Sequence, residues 1–171
     1  MKPVLYLLMG LPGAGKTTAA KALEAVTGAT RLTSDEERFA LWKKPTFSEE
    51  EHAVLYQHLN LRTKKLLAAG KNVIYDANIN RKIHRDEKYE IAKELGADVI
   101  LLWVVTHRIV ALDRRVTETK HHHLVPKHED PKSMFERVAD TIEEPDNFEP
   151  HIKLDGTIIT SEYIKKRLNI L

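Results

Sequence analysis

An α/β fold, a parallel sheet covered by helices on both faces, is what this sequence predicts, and three observations carry it. The runs VLYLLM (4–9), NVIYD (72–76) and VILLWVV (99–105) are almost continuously apolar and rich in β-branched or aromatic residues, as strands buried on both sheet faces must be. Segments with helical patterning separate them. No repeat, low-complexity tract or polar linker interrupts the alternation, so a doubly wound sheet, of five strands, is expected.

Each element has its own local reason. A helix over 16–26 follows the first run, with alanines at 19, 20 and 22. In RLTSDEERF (31–39), Ser34 and Glu37 form an S-x-x-E capping box, which predicts a helix start at the mouth of the second strand with Asp35 in its first turn. SEEE at 48–51 is a second box and opens a long helix over 48–69. A helix over 83–95 ends at Gly96, where a C-terminal glycine cap is expected. THRIVALDRRV (106–116) predicts another helix, running into the polar TETKHHHLVPKHED (117–130), so that residues 108–130 form a lid. Phe135, Val138 and Ile142, and then Ile164, Leu168 and Leu171, stand at helical spacing on either side of a short terminal strand, HIKLDG (151–156).

Composition narrows the class. A chain of 171 residues fits one domain, 1–171. Hydrophobic content of 42% with 30% charged residues is ordinary for a soluble protein, and no apolar run approaches the ~18 residues needed to span a membrane. KPVLYLLMG (2–10) leads into a glycine-rich loop instead of a cleavage site and reads as a buried strand. Zero cysteines fit a reducing compartment, and the cytoplasm is expected. A formal net charge of +2 does not support nonspecific nucleic-acid binding, so any polyanion contact is local.

GLPGAGKT (10–17) matches G-x-x-x-x-G-K-[ST] in full, directly after a predicted strand and directly before a predicted helix. Residues Gly10, Leu11, Pro12, Gly13, Ala14 and Gly15 are expected to curl their backbone N–H groups around a β-phosphate, helped by the positive end of the following helix. Lys16 is expected to reach the β- and γ-phosphates, the Thr17 hydroxyl to ligate Mg²⁺, and Thr18 to reach the α-phosphate. A G-x-G-x-x-G dinucleotide fingerprint would need glycine at position 18, which removes Asp35 as a ribose-binding acid. No N-K-x-D guanine signature occurs, so ATP is the expected nucleotide. Asp76 ends an apolar strand at its C-terminal end, where a carboxylate holds the metal shell. Asn78 is expected in the same crevice.

LMGLPGAGKTT (8–18), TSDEER (33–38), VIYDANINRKIHR (73–85) and LDRRV (112–116), in this order, resemble the group of P-loop kinases that includes polynucleotide 5′-kinase, zeta toxin and chloramphenicol phosphotransferase. The resemblance covers most of the chain. It implies a P-loop NTPase fold of kinase type with a helical lid, ATP and Mg²⁺ as cofactors, and a hydroxyl acceptor on a small molecule or a polynucleotide 5′-end. It also implies Asp35 as the general base, Arg38 as substrate anchor, and Arg114 or Arg115 as the lid cation, with Arg114 slightly favoured. Where the group often reads D-x-T-N, this chain reads DANINR (76–81), a departure that bears on Asn78. In the group, an acidic proline-bearing stretch such as EEPDNFEPH (143–151) lies near the adenine.

Blander readings stand beside several of these. His121, His122, His123 and His128 are expected in a polar lid and not around a metal, because consecutive imidazoles do not converge on one ion. Arg81, Lys82, Arg85 and Lys88 are candidates for contact with an anionic substrate beyond the phosphate crevice, but the acids interleaved with them favour a solvated helix face. Trp42 and Tyr56 are candidates for an acceptor-binding wall or for the core. The functional expectation is an Mg²⁺-dependent ATP:hydroxyl phosphotransferase. An ATPase acting as a conformational switch and a nucleotide-sensing module without turnover are the alternatives.

Overall fold

In the computed structural model, which describes residues 2–119 and 130–170, five parallel strands stand in the order β2-β3-β1-β4-β5. They are β1 (Val4–Met9), β2 (Thr30–Thr33), β3 (Val73–Asp76), β4 (Asp98–Val105) and β5 (His151–Asp155). The connecting helices are α1 (Lys16–Thr27), α2 (Ser34–Leu41), α3 (Glu49–Ala68), α4 (Lys82–Glu94), α5 (Arg108–Thr119), α6 (Pro131–Thr141) and α7 (Ser161–Leu168).

Successive strand side chains point to opposite faces, and this divides the core in two. Leu5, Leu7 and Met9 of β1 join Val73, Tyr75, Leu101 and Trp103 in a core completed by Leu55 and Leu59 of α3 and by Ile91 and Ala92 of α4. Tyr6 and Leu8 join Ile74, Leu102 and Val104 on the other face, under Ala19, Ala20 and Leu23 of α1 and Ile164 of α7. All of β3, Leu5 to Met9 of β1 and Leu101 to Val104 of β4 are therefore buried, which is why these stretches, Asp76 aside, are apolar without alternation.

β1 hands its chain to α1 on one face, while its neighbour β3 hands its chain to α4 on the other. Their connections part at the carboxyl ends and leave a crevice there, the place where open α/β sheets bind ligands. The β2–β3 register pairs Thr33 with Asp76, so the residues just after β2 enter this crevice beside the end of β3.

Two boundary expectations are corrected. The cap of α2 is Thr33, whose hydroxyl accepts from the Glu36 N–H at 3.1 Å, and not Ser34: Thr33 keeps an extended backbone at the end of β2 while Ser34 is already helical. Glu36 turns its carboxylate to Arg31 at 2.8 Å. Ile142 lies one residue past α6 as its C-cap, and Leu171 lies outside the described residues. Ser48 does cap α3 by accepting from the Glu51 N–H, but the Glu51 carboxylate accepts from Thr46 and Phe47.

Arg85 and Lys88 are also not on a solvated face. Both are fully buried, because they share one side of α4 with Ile91 and Ala92, three to seven residues apart. The Arg85 guanidinium meets Glu149 in a two-pronged ion pair at 2.7 and 2.8 Å. Lys88 reaches the Glu87 carboxylate and lies 5.1 Å over the Tyr75 ring. Burial pulls its pKa down. Among the described residues no helix is long and apolar enough to cross a membrane.

Candidate active site

The loop after β1 is shaped by glycines that a side chain could not replace. Gly10 and Gly13 have φ of +146° and +74°, and a Cβ on them would meet the carbonyl oxygens of Val104 and Ala111 at 2.3 and 2.1 Å. Gly15, left-handed at φ 103°, caps α1, so the free N–H groups of the first helical turn open into the loop. The Lys16 ammonium folds back across the loop and donates to the carbonyls of Gly10 and Leu11 at 3.0 and 2.9 Å. Ala14 is buried and its carbonyl accepts from the Thr106 hydroxyl at 2.9 Å.

A crevice of about 580 Å³ opens over this loop, within the usual range for small-molecule sites. It brings Pro12, Gly13, Gly15, Lys16, Thr17 and Thr18 together with Asp35, Asp76, Asn78 and Arg115. Asp76 is buried, and burial raises its pKa against the pull of Lys16 and Arg31 and a hydrogen bond from Thr17, while Asp35 pushes it further up. Asp35 opens onto the crevice; desolvation by its walls raises its pKa, opposed by the charges of Arg115, Arg38 and Lys16. Two carboxylates and a threonine hydroxyl thus face one space, an all-oxygen donor set of the kind Mg²⁺ takes when phosphate oxygens and waters complete its shell. Among the described residues no group of three or more His, Asp or Glu could hold an ion alone, and a site completed by the nucleotide requires none.

The two arginines of LDRRV separate. Arg114 donates to the Gly156 carbonyl at 3.0 Å, whereas Arg115 lines the crevice and reaches Met134 Sδ at 3.7 Å. Arg38 does not line the crevice. It is 5% exposed, 3.6 Å from the Glu51 carboxylate, within 3.3 Å of His52 Nδ1 and 4.8 Å under the Phe47 ring. Its charge still acts on Asp35 from one helical turn away. Tyr56 is tied to the Asn78 backbone, donating to its carbonyl and accepting from its N–H, and Trp42 packs on the first core, so neither walls the crevice. His121, His122, His123 and His128 lie outside the described residues, as does most of the rest of the segment expected to form a lid, whose first part, 108–119, is α5.

Sequence reasoning missed Asn80. Its side-chain amide accepts from the Gly10 N–H and donates to the Gly10 carbonyl, both at 3.0 Å, and it is buried on the crevice wall. Arg85 donates to the Asn80 carbonyl at 2.9 Å, and Glu149 holds Arg85. The stretch 143–151 therefore serves the loop through a buried ion pair. Gly156 was missed as well: it presses on Ala14 so closely that a Cβ would lie 1.9 Å from the Ala14 carbonyl oxygen.

A parallel sheet in the order β2-β3-β1-β4-β5, with a phosphate loop after β1 and a carboxylate at the end of β3, defines a P-loop NTPase fold of the kinase type. Residues 5–144 match the AAA domain family, and the chain belongs to it. Three solved structures share the fold. A proposed kinase from Chloroflexus aurantiacus J-10-fl superposes with a TM-score of 0.80 at 19% identity, over 99% of this chain and 98% of that one. A gluconokinase from Sinorhizobium meliloti 1021 gives 0.69 at 18% identity, over 98% and 91%. A chain of the Pnkp1/Rnl/Hen1 RNA repair complex gives 0.69 at 21% identity, over 81% of this chain and 43% of its own. No curated protein matches.

Proposed function

We propose that the protein is an ATP-dependent kinase that transfers the γ-phosphoryl group to an acceptor hydroxyl. The observation that carries this reading is the meeting in one crevice of Lys16, Thr17, Asp76, Asp35 and Arg115, the parts phosphoryl transfer needs for positioning and charge neutralisation. A single domain over 1–171 and a cytoplasmic location belong to the same reading.

Backbone N–H groups of residues 13–17 take the β-phosphate, and Lys16 exchanges the carbonyls of Gly10 and Leu11 for phosphate oxygens. Gly10 keeps the Asn80 amide as its partner through that exchange. Mg²⁺, held by the Thr17 hydroxyl and through Asp76, would supply charge neutralisation at the phosphates. Asp35 accepts the proton of the acceptor hydroxyl as its oxygen bonds to the γ-phosphorus and the bond to the β-phosphate oxygen breaks, leaving ADP. Arg115 balances the charge that spreads over the transferring group, and the Arg38 charge favours the ionised form of Asp35 from one helical turn away, without touching the acceptor.

The test is ATP consumption against a panel of hydroxyl acceptors, with Asp35→Ala and Lys16→Ala alongside. One acceptor class is expected to raise turnover well above the background hydrolysis. Asp35→Ala is expected to lower transfer by ~10²-fold or more while ATP still binds, and Lys16→Ala to weaken both. Wild-type transfer in Asp35→Ala would remove the base from the mechanism.

A further inference from the structure

Asp35 and Phe39 stand four residues apart on α2 and so share one face of that helix. Both line the crevice, and Phe39 is 42% exposed. Met134 and Val138, four apart on α6, line the same crevice. Arg115 links the two sides: it contacts Met134 Sδ, and its charge is felt at Asp35. The carboxylate that would take the acceptor's proton therefore shares its crevice with an aromatic ring, a thioether and an isopropyl group.

Such a wall suits one kind of acceptor poorly and another well. An open-chain polyol or sugar acid presents hydroxyls on every side, and lying against Phe39, Met134 and Val138 would strip water from groups left without partners. A flat unsaturated ring fits, since its faces stack on an aromatic side chain and make favourable contacts with a methionine sulfur. The side chain best placed to anchor an acidic acceptor from α2, Arg38, is turned away to Glu51, His52 and Phe47. α2 therefore turns Asp35, Phe39, Ser34 and Glu36 to the crevice and no cation.

We infer that the acceptor is an alcohol carrying a flat unsaturated ring near the transferred hydroxyl, seated between Phe39 and the Met134–Val138 face of α6. The inference rests on the kinase reading above and narrows its substrate. A free nucleoside, the 5′-terminal residue of an oligonucleotide and an aryl alcohol all present this chemistry.

The experiment measures ATP-dependent phosphoryl transfer to four acceptors: a nucleoside, a short 5′-hydroxyl oligonucleotide, an aryl amino-alcohol and gluconate. It is repeated with Phe39→Ala, Phe39→Tyr and Met134→Ala. A ring-bearing acceptor is expected to be preferred, and which one responds separates the three sources. Phe39→Ala is expected to raise the acceptor KM roughly 10-fold or more, the range of a lost stacking contact. Phe39→Tyr is expected to restore it, and ATP affinity is expected to stay within about twofold in both, which also shows that the variants are folded. Transfer to gluconate in preference to every ring-bearing acceptor overturns the inference and leaves the kinase reading standing. An unchanged acceptor KM in Phe39→Ala overturns it too. ATP binding without transfer to any acceptor overturns both readings together.

Discussion

Asn80 and Gly10, seventy residues apart in the chain, are joined by two hydrogen bonds of 3.0 Å that use both the donor and the acceptor of one side-chain amide. The peptide they hold opens the phosphate loop, and it is also where Lys16 rests. In Asn80→Ala the buried Gly10 N–H loses its partner, at roughly 1–3 kcal/mol, and the Gly10 carbonyl is left with Lys16 alone. Asn80→Asp keeps an acceptor for the Gly10 N–H but sets a carboxylate against the Gly10 carbonyl. Both variants are expected to lower Tm and to weaken ATP binding by about 10-fold or more, with Asp the worse of the two. Calorimetric titration with ATP, set beside thermal unfolding, measures this; unchanged ATP affinity would show that the clamp serves stability alone.

Asp35 has a pH signature. Desolvation favours its neutral acid, so its carboxyl titrates above the ordinary value of ~3.9, held down in part by Arg115, Arg38 and Lys16. A base works only when deprotonated, so transfer is expected to rise with pH through that raised pKa. The acid limb of the kcat profile then lies above the usual carboxylate range. Removing a cation that favours the charged form, as in Arg115→Met, is expected to move the limb higher still while lowering kcat. An acid limb that stays in place in Arg115→Met would detach it from Asp35.

How legible was this in the sequence? The phosphate loop and α1 were plain because their signal is contiguous: glycines at fixed offsets, a lysine and a threonine at a helix start. β1, β3 and β4 were legible because burial on both faces leaves little room for polar residues, whereas β5, an edge strand with only Leu154 buried, was read from its place between two helical patterns. β2 was only implied, since TRLT is four residues long with two threonines and an arginine, and its meaning lies in the pairing of Thr33 with Asp76, a contact between distant segments. Asn80 and Glu149 were illegible for the same reason. Their partners are 70 and 64 residues away, and neither leaves a local pattern. Arg85 and Lys88 did leave one, the spacing they share with Ile91 and Ala92, which the neighbouring acids obscured.

The Arg85–Glu149 pair gives a stability prediction with a sign. Burial alone would raise the Glu149 pKa, but hydrogen bonds from Arg85 and Tyr89, together with the Arg85 charge, outweigh it and hold the carboxyl below its usual range. A depressed folded-state pKa contributes stability that is fully present above the unfolded value of ~4.3 and lost as pH falls through the lower folded value. The wild type is expected to lose this contribution under acid, and Glu149→Gln to be less stable at pH 7 but flatter below about pH 4. Arg85→Met strands a buried carboxylate, a loss of ~3–5 kcal/mol. Denaturant unfolding of the three proteins between pH 3 and 7 measures both effects, and parallel curves for wild type and Glu149→Gln would refute the linkage.

Gly156 separates steric from conformational roles for glycine. Its backbone is outside the left-handed region, so alanine there is not strained by φ, yet the new Cβ would lie 1.9 Å from the Ala14 carbonyl oxygen and 2.3 Å from the Thr106 hydroxyl. Both of those belong to one hydrogen bond that holds the phosphate loop against the end of β4. Gly70, which follows α3, is the converse: φ is +71° and no atom lies within 4 Å of a built Cβ. Gly70→Ala is therefore expected to cost about 1–2 kcal/mol through backbone strain, with ATP affinity unchanged. Gly156→Ala is expected to displace the loop and weaken ATP binding by at least about 10-fold. Measuring ATP affinity and Tm for the pair distinguishes the two effects: a Gly156→Ala protein that loses Tm but binds ATP as the wild type does would mean that the turn after β5 supports the sheet and not the loop.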